Sequence, residues 1–587
     1  MTKHWNIKPS PDTDEIIDLS RALGGIHPVL AKLLIQRGIT NYDEAKAFFR
    51  PNLINMHNPF LMQGMDNAVQ RINKAIANNE KILVYGDYDV DGTTAVSLVY
   101  SYMHQHVDND HLGYYIPDRY TEGYGISYKG IDYAAANNFA LVIALDCGIK
   151  AVEKVDYANQ KNVDFIICDH HTPGDTLPNA IACLDPKRTD CNYPDKNLSG
   201  CGVGFKLMQA FCRNNFYNED DLLQYLDILA VSIASDIVPI IGENRLLAYH
   251  GLKKLNSSPS VGLKSIIEVS GLQGKEITIS DIVFKIGPRI NAAGRMKSGT
   301  EAVRLLISDN STDADAISQL IDNRNEERKD LDRTITQEAL KMIEQSEEMK
   351  NRKSTVLFNP GWHKGVIGIV ASRLTESYYR PTIVLTESNG LATGSARSVD
   401  GFDLYKAIDS CSDLLENFGG HMYAAGLTMK LENVEPFIER FEQYVSANIL
   451  PEQLIPQIDI DAELYLSDIT PGFYNILTQF EPFGPGNLKP VFVTRNVYDY
   501  GHSKLVGKDK DAVDVDKSKK HLKLEVTDPQ SRCVMNGVGF NMGHMIDPLK
   551  NGESVSLCYT IEMNEFKGYR NLQIMVKDML ASNPNNQ

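Results

Sequence analysis

Long apolar runs, paired cysteines and a positive net charge are all missing from this sequence. No stretch is apolar enough to span a bilayer, and the first residues lack the apolar core of a secretion signal, so we expect a cytoplasmic protein without a membrane partner. The nine cysteines form no C-x-x-C pair, which indicates free thiols in a reducing compartment. The net charge of −17 excludes a broadly basic surface, so any path for nucleic acid must be a local basic stripe.

The chain of 587 residues is long enough for several domains. Short apolar runs alternate with helical patterns from residue 82 onward, which predicts an α/β fold with a parallel sheet. A charged segment without Gly or Pro then predicts a long helix. The predicted divisions are 1–75 as an N-terminal helical extension, 76–320 as the parallel-sheet domain, 321–353 as a connecting helix, 354–450 as a smaller α/β domain and 457–580 as a small antiparallel β-barrel.

Acidic and imidazole side chains follow four apolar runs that we predict to be strands. They lie in residues 87–92 (DYDVDG), at Asp146, in residues 169–171 (DHH) and at Asp236, which follows the apolar run 228–233. Functional residues of parallel sheets collect at the carboxyl ends of strands, and crowded carboxylates are costly unless cations neutralise them. Carboxylates with imidazoles suit Mn²⁺ or Mg²⁺, and two ions can share a bridging carboxylate.

Each of these motifs has a simpler interpretation when it is taken alone. The D-x-D-x-D-G pattern also fits a calcium loop or a solvated turn, a His-His pair is often structural, and an Asp after a strand often caps a helix. Four such clusters in order favour a site for two divalent ions.

The four motifs resemble those of the DHH phosphoesterase superfamily. The resemblance implies a set of metal ligands: Asp87, Asp89, Asp91, Asp146, His170 and Asp236. It also implies that Asp169 and His171 take part in catalysis, with His171 contacting substrate or tuning the site.

A second block resembles the companion DHHA1 domain, through residues 394–398 (GSARS) and 419–426 (GGHMYAAG). That domain implies a cleft in which Gly419 and Gly420 approach substrate and His421 hydrogen-bonds or protonates the scissile phosphate. Ser395 and Arg397 would bind phosphate oxygens, because a hydroxyl and a guanidinium fork suit them. A Gly-Gly-His turn with a surface histidine is the simpler interpretation of the motif alone.

Four further segments resemble the RecJ nucleases within this superfamily. They are residues 116–125, 287–296, 361–368 and 480–487, the last at the entry to an OB-like barrel. The resemblance implies a parallel-sheet DHH domain and a smaller α/β DHHA1 domain joined by a long helix, plus the barrel. It also implies a monomeric, two-metal 5′→3′ exonuclease that degrades single-stranded DNA to 5′-mononucleotides in recombination and repair.

Basic and aromatic residues are the candidates for DNA contact. We expect Arg119, Arg289, Asn291 and Arg295 to bind substrate, although any single arginine could instead form a structural ion pair. In the barrel, bases could stack on a further cluster, although strand aromatics are more often core: Tyr498, Tyr500, His502, Lys504 and Lys508. A single-strand-binding protein and a helicase are further candidate partners.

Three alternatives stay open at this point. The first is a DHH phosphoesterase acting on short oligonucleotides, cyclic dinucleotides or small phosphate esters. The second is a replication scaffold, which the complete acidic set disfavours. The third is a nonspecific single-strand binder, which leaves the acidic clusters unexplained.

Overall fold

The computed structural model describes residues 3–507, 520–566 and 568–581. Its contacts divide the chain into two compact units, one running from Leu53 to Leu454 and the other combining the stretch up to Asn52 with the stretch from Ile455 onward. The predicted N-terminal extension, residues 1–75, is therefore shared between the two units. Lys508 and the charged segment around it lie outside the described residues, as does the end of the chain from residue 582.

The larger unit is built on a sheet of five parallel strands. In spatial order the strands are Leu112–Tyr115, Lys81–Gly86, Phe139–Leu145, Asp164–Cys168 and Ala182–Leu184. The central strands are buried throughout because helices cover both faces, which explains their continuous apolar sequences. The strand Leu112–Tyr115 was not predicted, because Gly113 interrupts its apolar run.

Helices surround this sheet and connect its strands. They are Met65–Ala77, Val90–Met103, Tyr128–Ala136, Val152–Gln160, Gly200–Asn214, Leu226–Ser235, Gly242–Ser257, Val261–Val269, Gly287–Met296 and Thr300–Leu306. Helical turns at Asp220–Leu223 and Ile279–Asp281 are shorter, and a π-helical turn spans Ile282–Ile286.

One predicted strand is wrong. The apolar run before Asp236 forms the helix Leu226–Ser235, and Asp236 caps its C-terminal end by donating its backbone N–H to Ser232 O at 2.9 Å. This helix is buried on nearly every side, so its sequence is apolar all round and shows no helical period.

The helix Ser311–Gln345 leads, through the short helix Glu347–Asn351, to a second sheet. The five strands of this sheet, in spatial order, are Asn417–His421, Ala424–Lys430, Leu391–Arg397, Thr382–Ser388 and Thr355–Phe358. Ile367–Tyr378, Leu404–Asp409 and Val434–Asn448 are its helices. Arg373 reaches back to the buried Asp332 of the long helix at 2.8 Å and so ties this domain to it.

The other unit contains a barrel-like sheet. Its strands, in order, are Ala462–Glu463, Phe492–Asp499, Val555–Phe566, Tyr569–Ala581, Val534–Gly539, His521–Thr527 and Lys504–Val506. The predicted antiparallel arrangement is only partly right, since two strand pairs run parallel. The helices of this unit are Thr13–Ala22, Pro28–Ile35, Tyr42–Phe49, Pro471–Leu477 and Ile546–Lys550.

The first residues were predicted to be helical and irregular, but they also contain a strand. His4–Ile7 is a strand that pairs in parallel with Gln457–Ile460, and Trp5 Nε1 donates to Asp578 Oδ2 at 2.8 Å. In the described parts of the chain, no helix has both the length and the apolar character needed to cross a membrane. The cysteines are free thiols, as predicted, and only Cys533 is not fully buried.

A close helix crossing fixes the position of Asp236, and Gly251 allows it. A Cβ at residue 251 would lie 2.2 Å from Leu226 O, at the start of the helix that Asp236 ends. We expect Gly251→Ala to lower unfolding stability by about 1–3 kcal/mol, because the backbone clash outweighs the gain in helix propensity. Thermal unfolding measures the change. Gly174→Ala is the control, since its Cβ would meet only ordinary contacts at 3.8 Å. An unchanged midpoint for Gly251→Ala would contradict the tight crossing.

Candidate active site

The first acidic motif lies where the strand Lys81–Gly86 meets the helix Val90–Met103. Asp87 is fully buried, and Asp89 is the N-cap of the helix, accepting the Gly92 N–H at 3.0 Å. A Cβ at Gly92 would lie 2.5 Å from Asp87 O. Only glycine therefore allows the turn that places both carboxylates at the strand end.

Asp146 follows the neighbouring strand in a strained conformation. Its φ is 58°, in the left-handed region that few non-glycine residues adopt. The carboxylate is buried, and a Cβ at Gly200 would lie only 2.5 Å from Asp146 Cβ. The start of the Gly200–Asn214 helix thus packs directly against this carboxylate, and we interpret the strain as functional.

His170 lies at the centre of the carboxylates. Its Nε2 atom is 3.2 Å from Asp146 Oδ1, 3.5 Å from Asp236 Oδ2 and 3.7 Å from Asp91 Oδ2. Three chain segments far apart in sequence, one of them the unexpected helix, therefore converge on one imidazole.

Asp91 also connects the elements around the site. Its carboxylate accepts the N–H groups of Gly200 at 2.6 Å and Cys201 at 2.9 Å, and the Ser232 hydroxyl at 2.7 Å. Two further helices are thus attached to the first motif through a single side chain.

Burial and crowding disfavour the ionised carboxylates of this cage. Burial, together with neighbouring carboxylates, raises the pKa of Asp87 and of Asp146 well above the usual range. The same causes raise the pKa of Asp236 to about 9, whereas burial lowers the pKa of His170. Crowded, buried carboxylates can be neutralised either by protonation or by divalent cations.

The donor atoms fit divalent metal ions. Asp87 Oδ2, Asp146 Oδ1 and His170 Nε2 are buried and have no hydrogen-bond partner in the described structure. Two overlapping donor sets each have their ligand atoms within 4.8 Å of one another: Asp146 with His170 and His171, and Asp91 with His170 and Asp236. Asp89 couples electrostatically to Asp146 and Asp236. The two sets therefore bring together four of the predicted ligands, Asp91, Asp146, His170 and Asp236, and add His171. Asp87 interacts electrostatically with Asp89, and neither belongs to the two sets. Oxygen and imidazole donors of this kind suit Mn²⁺ or Mg²⁺.

Asp169 orients His171 at the edge of the cage. Asp169 Oδ1 lies 2.7 Å from His171 Nδ1 and also accepts the backbone N–H of His170. Although burial alone would raise it, the interaction with His171 lowers the pKa of Asp169 to about 2. The ionised Asp169 in turn raises the pKa of His171, against the effect of burial. His171 Nε2 is 3.5 Å from the hydroxyl of Tyr124.

Arginine side chains form a second cluster beside the acidic motif. The Arg119 guanidinium lies 4.8 Å from the ring centroid of Tyr88, which stands between Asp87 and Asp89. Burial and the nearby guanidiniums of Arg119, Arg328 and Arg397 lower the pKa of Arg295 to about 10. None of these four arginines has a salt bridge among the described residues, so the cluster suits an anion.

The cluster is fixed by contacts to backbone oxygens. Arg295 Nη1 donates to Gly365 O at 3.1 Å, and Arg397 Nη1 donates to Ala396 O at 2.7 Å and to Ser395 Oγ at 3.1 Å. A Cβ at Gly368 would lie 3.0 Å from Ser395 Oγ and 3.3 Å from an Arg397 nitrogen. The first turn of the Ile367–Tyr378 helix thus adjoins the predicted phosphate ligands, and helix N-termini favour anions.

Two further predicted substrate residues, Arg289 and Asn291, lie on the helix Gly287–Met296. Arg289 forms an ion pair with Asp322 at 2.8 Å and donates to Lys285 O, which is the structural alternative. Asn291 is half-buried on the same helix as Arg295.

The glycine–histidine motif lies on the strand Asn417–His421. Gly420 has a φ of 149°, and a Cβ there would lie 2.3 Å from Ala424 O. Gly419 has open space beside it. The exposed His421 accepts the Tyr423 N–H at 3.3 Å, and the described contacts do not bring it to the acidic cage.

In the barrel, the predicted aromatic cluster lies partly at the surface. Tyr500 is 55% exposed and Tyr498 is 36% exposed, so neither is core. The rings of Tyr500 and His502 are 6.4 Å apart, and the exposed Lys504 follows on the next strand.

Sequence reasoning missed three residues at the site. Tyr88 and Tyr124 lie inside motifs in which only the acidic and basic residues were predicted to have a role. Arg328 is one of many charged residues on the long helix, and its Nε is buried without a hydrogen-bond partner in the described structure. Only the tertiary contacts separate it from the arginines that pair on the same helix.

Three family models match successive parts of the chain. The family model described as the DHH family, N-terminal domain, matches residues 81–233. The models for the DHHA1 domain and the RecJ OB domain match residues 351–447 and 460–578. The predicted resemblance and fold class are therefore confirmed.

Relatives and a solved structure match nearly the whole chain. The single-stranded-DNA-specific exonuclease RecJ of Bacillus subtilis is 35% identical over 98% of this chain and 71% of the relative. The RecJ of Salmonella typhimurium is 31% identical over 97% of this chain and 98% of the relative. The crystal structure of Thermus thermophilus RecJ with Mn²⁺ has 25% identity and a TM-score of 0.83, covering 99% of this chain and 80% of that one. The acidic cage and the guanidinium cluster are consistent with these matches. Because relatives at least 30% identical match nearly the whole chain, the chain belongs to the RecJ family.

Proposed function

We propose that this chain is a metal-dependent exonuclease that hydrolyses single-stranded DNA from its 5′ end and releases 5′-mononucleotides in recombination and repair. The observation that carries the proposal is a cage of carboxylate and imidazole donors beside a cluster of guanidiniums. Among the described residues, three buried donor atoms of the cage have no hydrogen-bond partner and the clustered guanidiniums form no salt bridge. The first suits two divalent ions, and the second suits the phosphates of a strand. The RecJ relatives, described as single-stranded-DNA-specific exonucleases, support the same conclusion.

The ions would be Mn²⁺ or Mg²⁺, held by Asp87, Asp89, Asp91, Asp146, His170 and Asp236. Such a pair, when bound, lowers the pKa of water and neutralises charge at the scissile phosphate. Asp169 keeps the imidazole of His171 in one orientation, so its Nε2 can hydrogen-bond a phosphate oxygen. His421 would meet the phosphate from the opposite domain and donate a proton to the leaving oxygen.

Arg295, Arg397 and Ser395 would bind the 5′-terminal phosphate, since all three adjoin one helix N-terminus or its preceding loop. A strand held at its end in this way would bring the adjoining phosphodiester toward the cage. Arg119, beside Tyr88, would bind the next phosphate. We extend the proposal to a monomer in the cytoplasm, with a single-strand-binding protein and a helicase as partners.

A phosphoesterase that acts on dinucleotides or small phosphate esters is the alternative. The barrel domain, with its exposed aromatic residues, disfavours it, because a small substrate needs no strand-binding module. Comparing hydrolysis of a long 5′-phosphorylated strand with that of a dinucleotide distinguishes the two.

Removing one central ligand tests the metal site. We expect Asp146→Asn to lower nucleotide release from 5′-labelled single strands more than about 100-fold, because a central donor of the cage loses its charge. It should also lower the number of Mn²⁺ ions bound per chain, measured by calorimetry.

Asp156→Asn is the matched control, since Asp156 is exposed on the Val152–Gln160 helix. It should match the wild type in both measurements. Release from the 3′ end by the wild type, or full activity of Asp146→Asn, would refute the assignment.

Removing a guanidinium tests recognition of the 5′ end. Arg397→Ala should lower kcat/KM more for 5′-phosphorylated strands than for 5′-hydroxyl strands, by about 10-fold, since a charge-assisted pair is lost. Arg440→Ala, whose side chain pairs with Asp413 on the same domain, is the control and should leave both substrates unaffected. Equal losses on both substrates would show that Arg397 does not bind the terminal phosphate.

A further inference from the structure

Tyr124 stands over the acidic cage but has no place in the mechanism above. Its hydroxyl lies 3.3 Å from Asp146 O and 3.5 Å from His171 Nε2. The residue is nonetheless 48% exposed to solvent. A large aromatic side chain is therefore tied at its tip and open along its body, directly beside the groups that hold the reacting phosphate.

The backbone around Tyr124 keeps this ring in place. Gly123 and Gly125 flank it with φ values of 83° and 78°, a conformation that other residues rarely adopt. Gly125 O accepts the Tyr85 hydroxyl at 2.9 Å, and Gly125 N lies 3.4 Å from Asp87 Oδ1. The loop is thus bonded to a core residue and to the cage itself, so its position is set by the same elements that set the metal ligands.

Neighbouring rings support Tyr124 from the side. The ring of Tyr88 lies 6.0 Å away at 89°, and that of His171 lies 6.0 Å away at 81°. Both are edge arrangements, which stabilise an aromatic ring without stacking on it. Arg119 already lies against Tyr88, so Tyr124 is the ring that remains open beside the cage.

We propose that Tyr124 is a substrate-binding residue that stacks on the nucleobase adjoining the scissile phosphate. This inference rests on the proposed function, because a single strand offers unpaired bases and every base has a π-face to stack on an aromatic ring. Stacking is tolerant of sequence, which suits an enzyme that removes each nucleotide in turn. The hydroxyl bonds orient the ring, and the ring holds the nucleotide.

Substitution together with an altered substrate tests this role. Strands that lack the base at the first or second nucleotide are compared with intact strands, all 5′-phosphorylated. The wild type should show about 10-fold lower kcat/KM on one of the two abasic strands, the size expected for one stacked base. In Tyr124→Leu, kcat/KM on the intact strand should fall by a similar factor, and the penalty for the missing base should disappear.

Conservative variants separate the ring from the hydroxyl. Tyr124→Phe and Tyr124→Trp should keep the penalty for the missing base, because both retain an aromatic face. Tyr128→Leu is the matched control, since Tyr128 is 47% exposed and packs against Tyr157. It should behave like the wild type on every strand.

The outcomes are decisive in either direction. Loss of the penalty at the first or the second position in Tyr124→Leu supports stacking and identifies the nucleotide. A penalty that persists at full size in Tyr124→Leu, or that Tyr124→Phe abolishes as well, would overturn it. If the wild type releases no nucleotides from the intact strand, the proposed exonuclease function has failed instead, and the two failures are thereby distinguished.

Discussion

Burying several carboxylates at one edge of a parallel sheet raises the free energy of the folded chain unless positive charge joins them. Burial and neighbouring carboxylates raise the pKa values of Asp87, Asp146 and Asp236, which favours their protonated forms. Burial lowers the pKa of His170, which favours its neutral form. Among the described residues, no arginine forms a salt bridge with these groups, and His170 is the basic side chain within 4 Å of Asp146 and Asp236. Divalent ions would offset this free energy by neutralising the carboxylates. The same crowding that destabilises the metal-free site therefore favours metal binding.

Close backbone approaches and hydrogen bonds around the cage hold these carboxylates near one another. Gly92 and Gly200 allow backbone approaches that a Cβ would forbid, and they bring a turn and a helix start against the buried carboxylates. Asp91 accepts hydrogen bonds from two further helices, so the packing of those helices is coupled to the cage. A disturbance of helix packing remote from the cage should therefore be felt at the metal ligands.

The arrangement of charge explains how a strongly acidic protein can bind a polyanion. The net charge of the chain is −17, while four guanidiniums gather beside the acidic cage, where metal ions would add positive charge: those of Arg119, Arg295, Arg328 and Arg397. Local geometry, and not the global charge, decides where phosphate can bind. Tyr124 would add to this an apolar surface for a base, so that charge holds the backbone and the ring holds the nucleotide.

The sequence by itself determined the metal-binding residue types, their order along the chain and most of the strands that carry them, because buried parallel strands are apolar runs and acidic groups after them are conspicuous. It could not determine that Asp236 ends a helix, since a helix buried all round has no amphipathic period. Nor could it separate Arg289, which pairs with Asp322, from Arg328, which forms no ion pair with any residue that the structure describes. Pairing depends on which side chains meet across the fold, and the tertiary structure alone decides that.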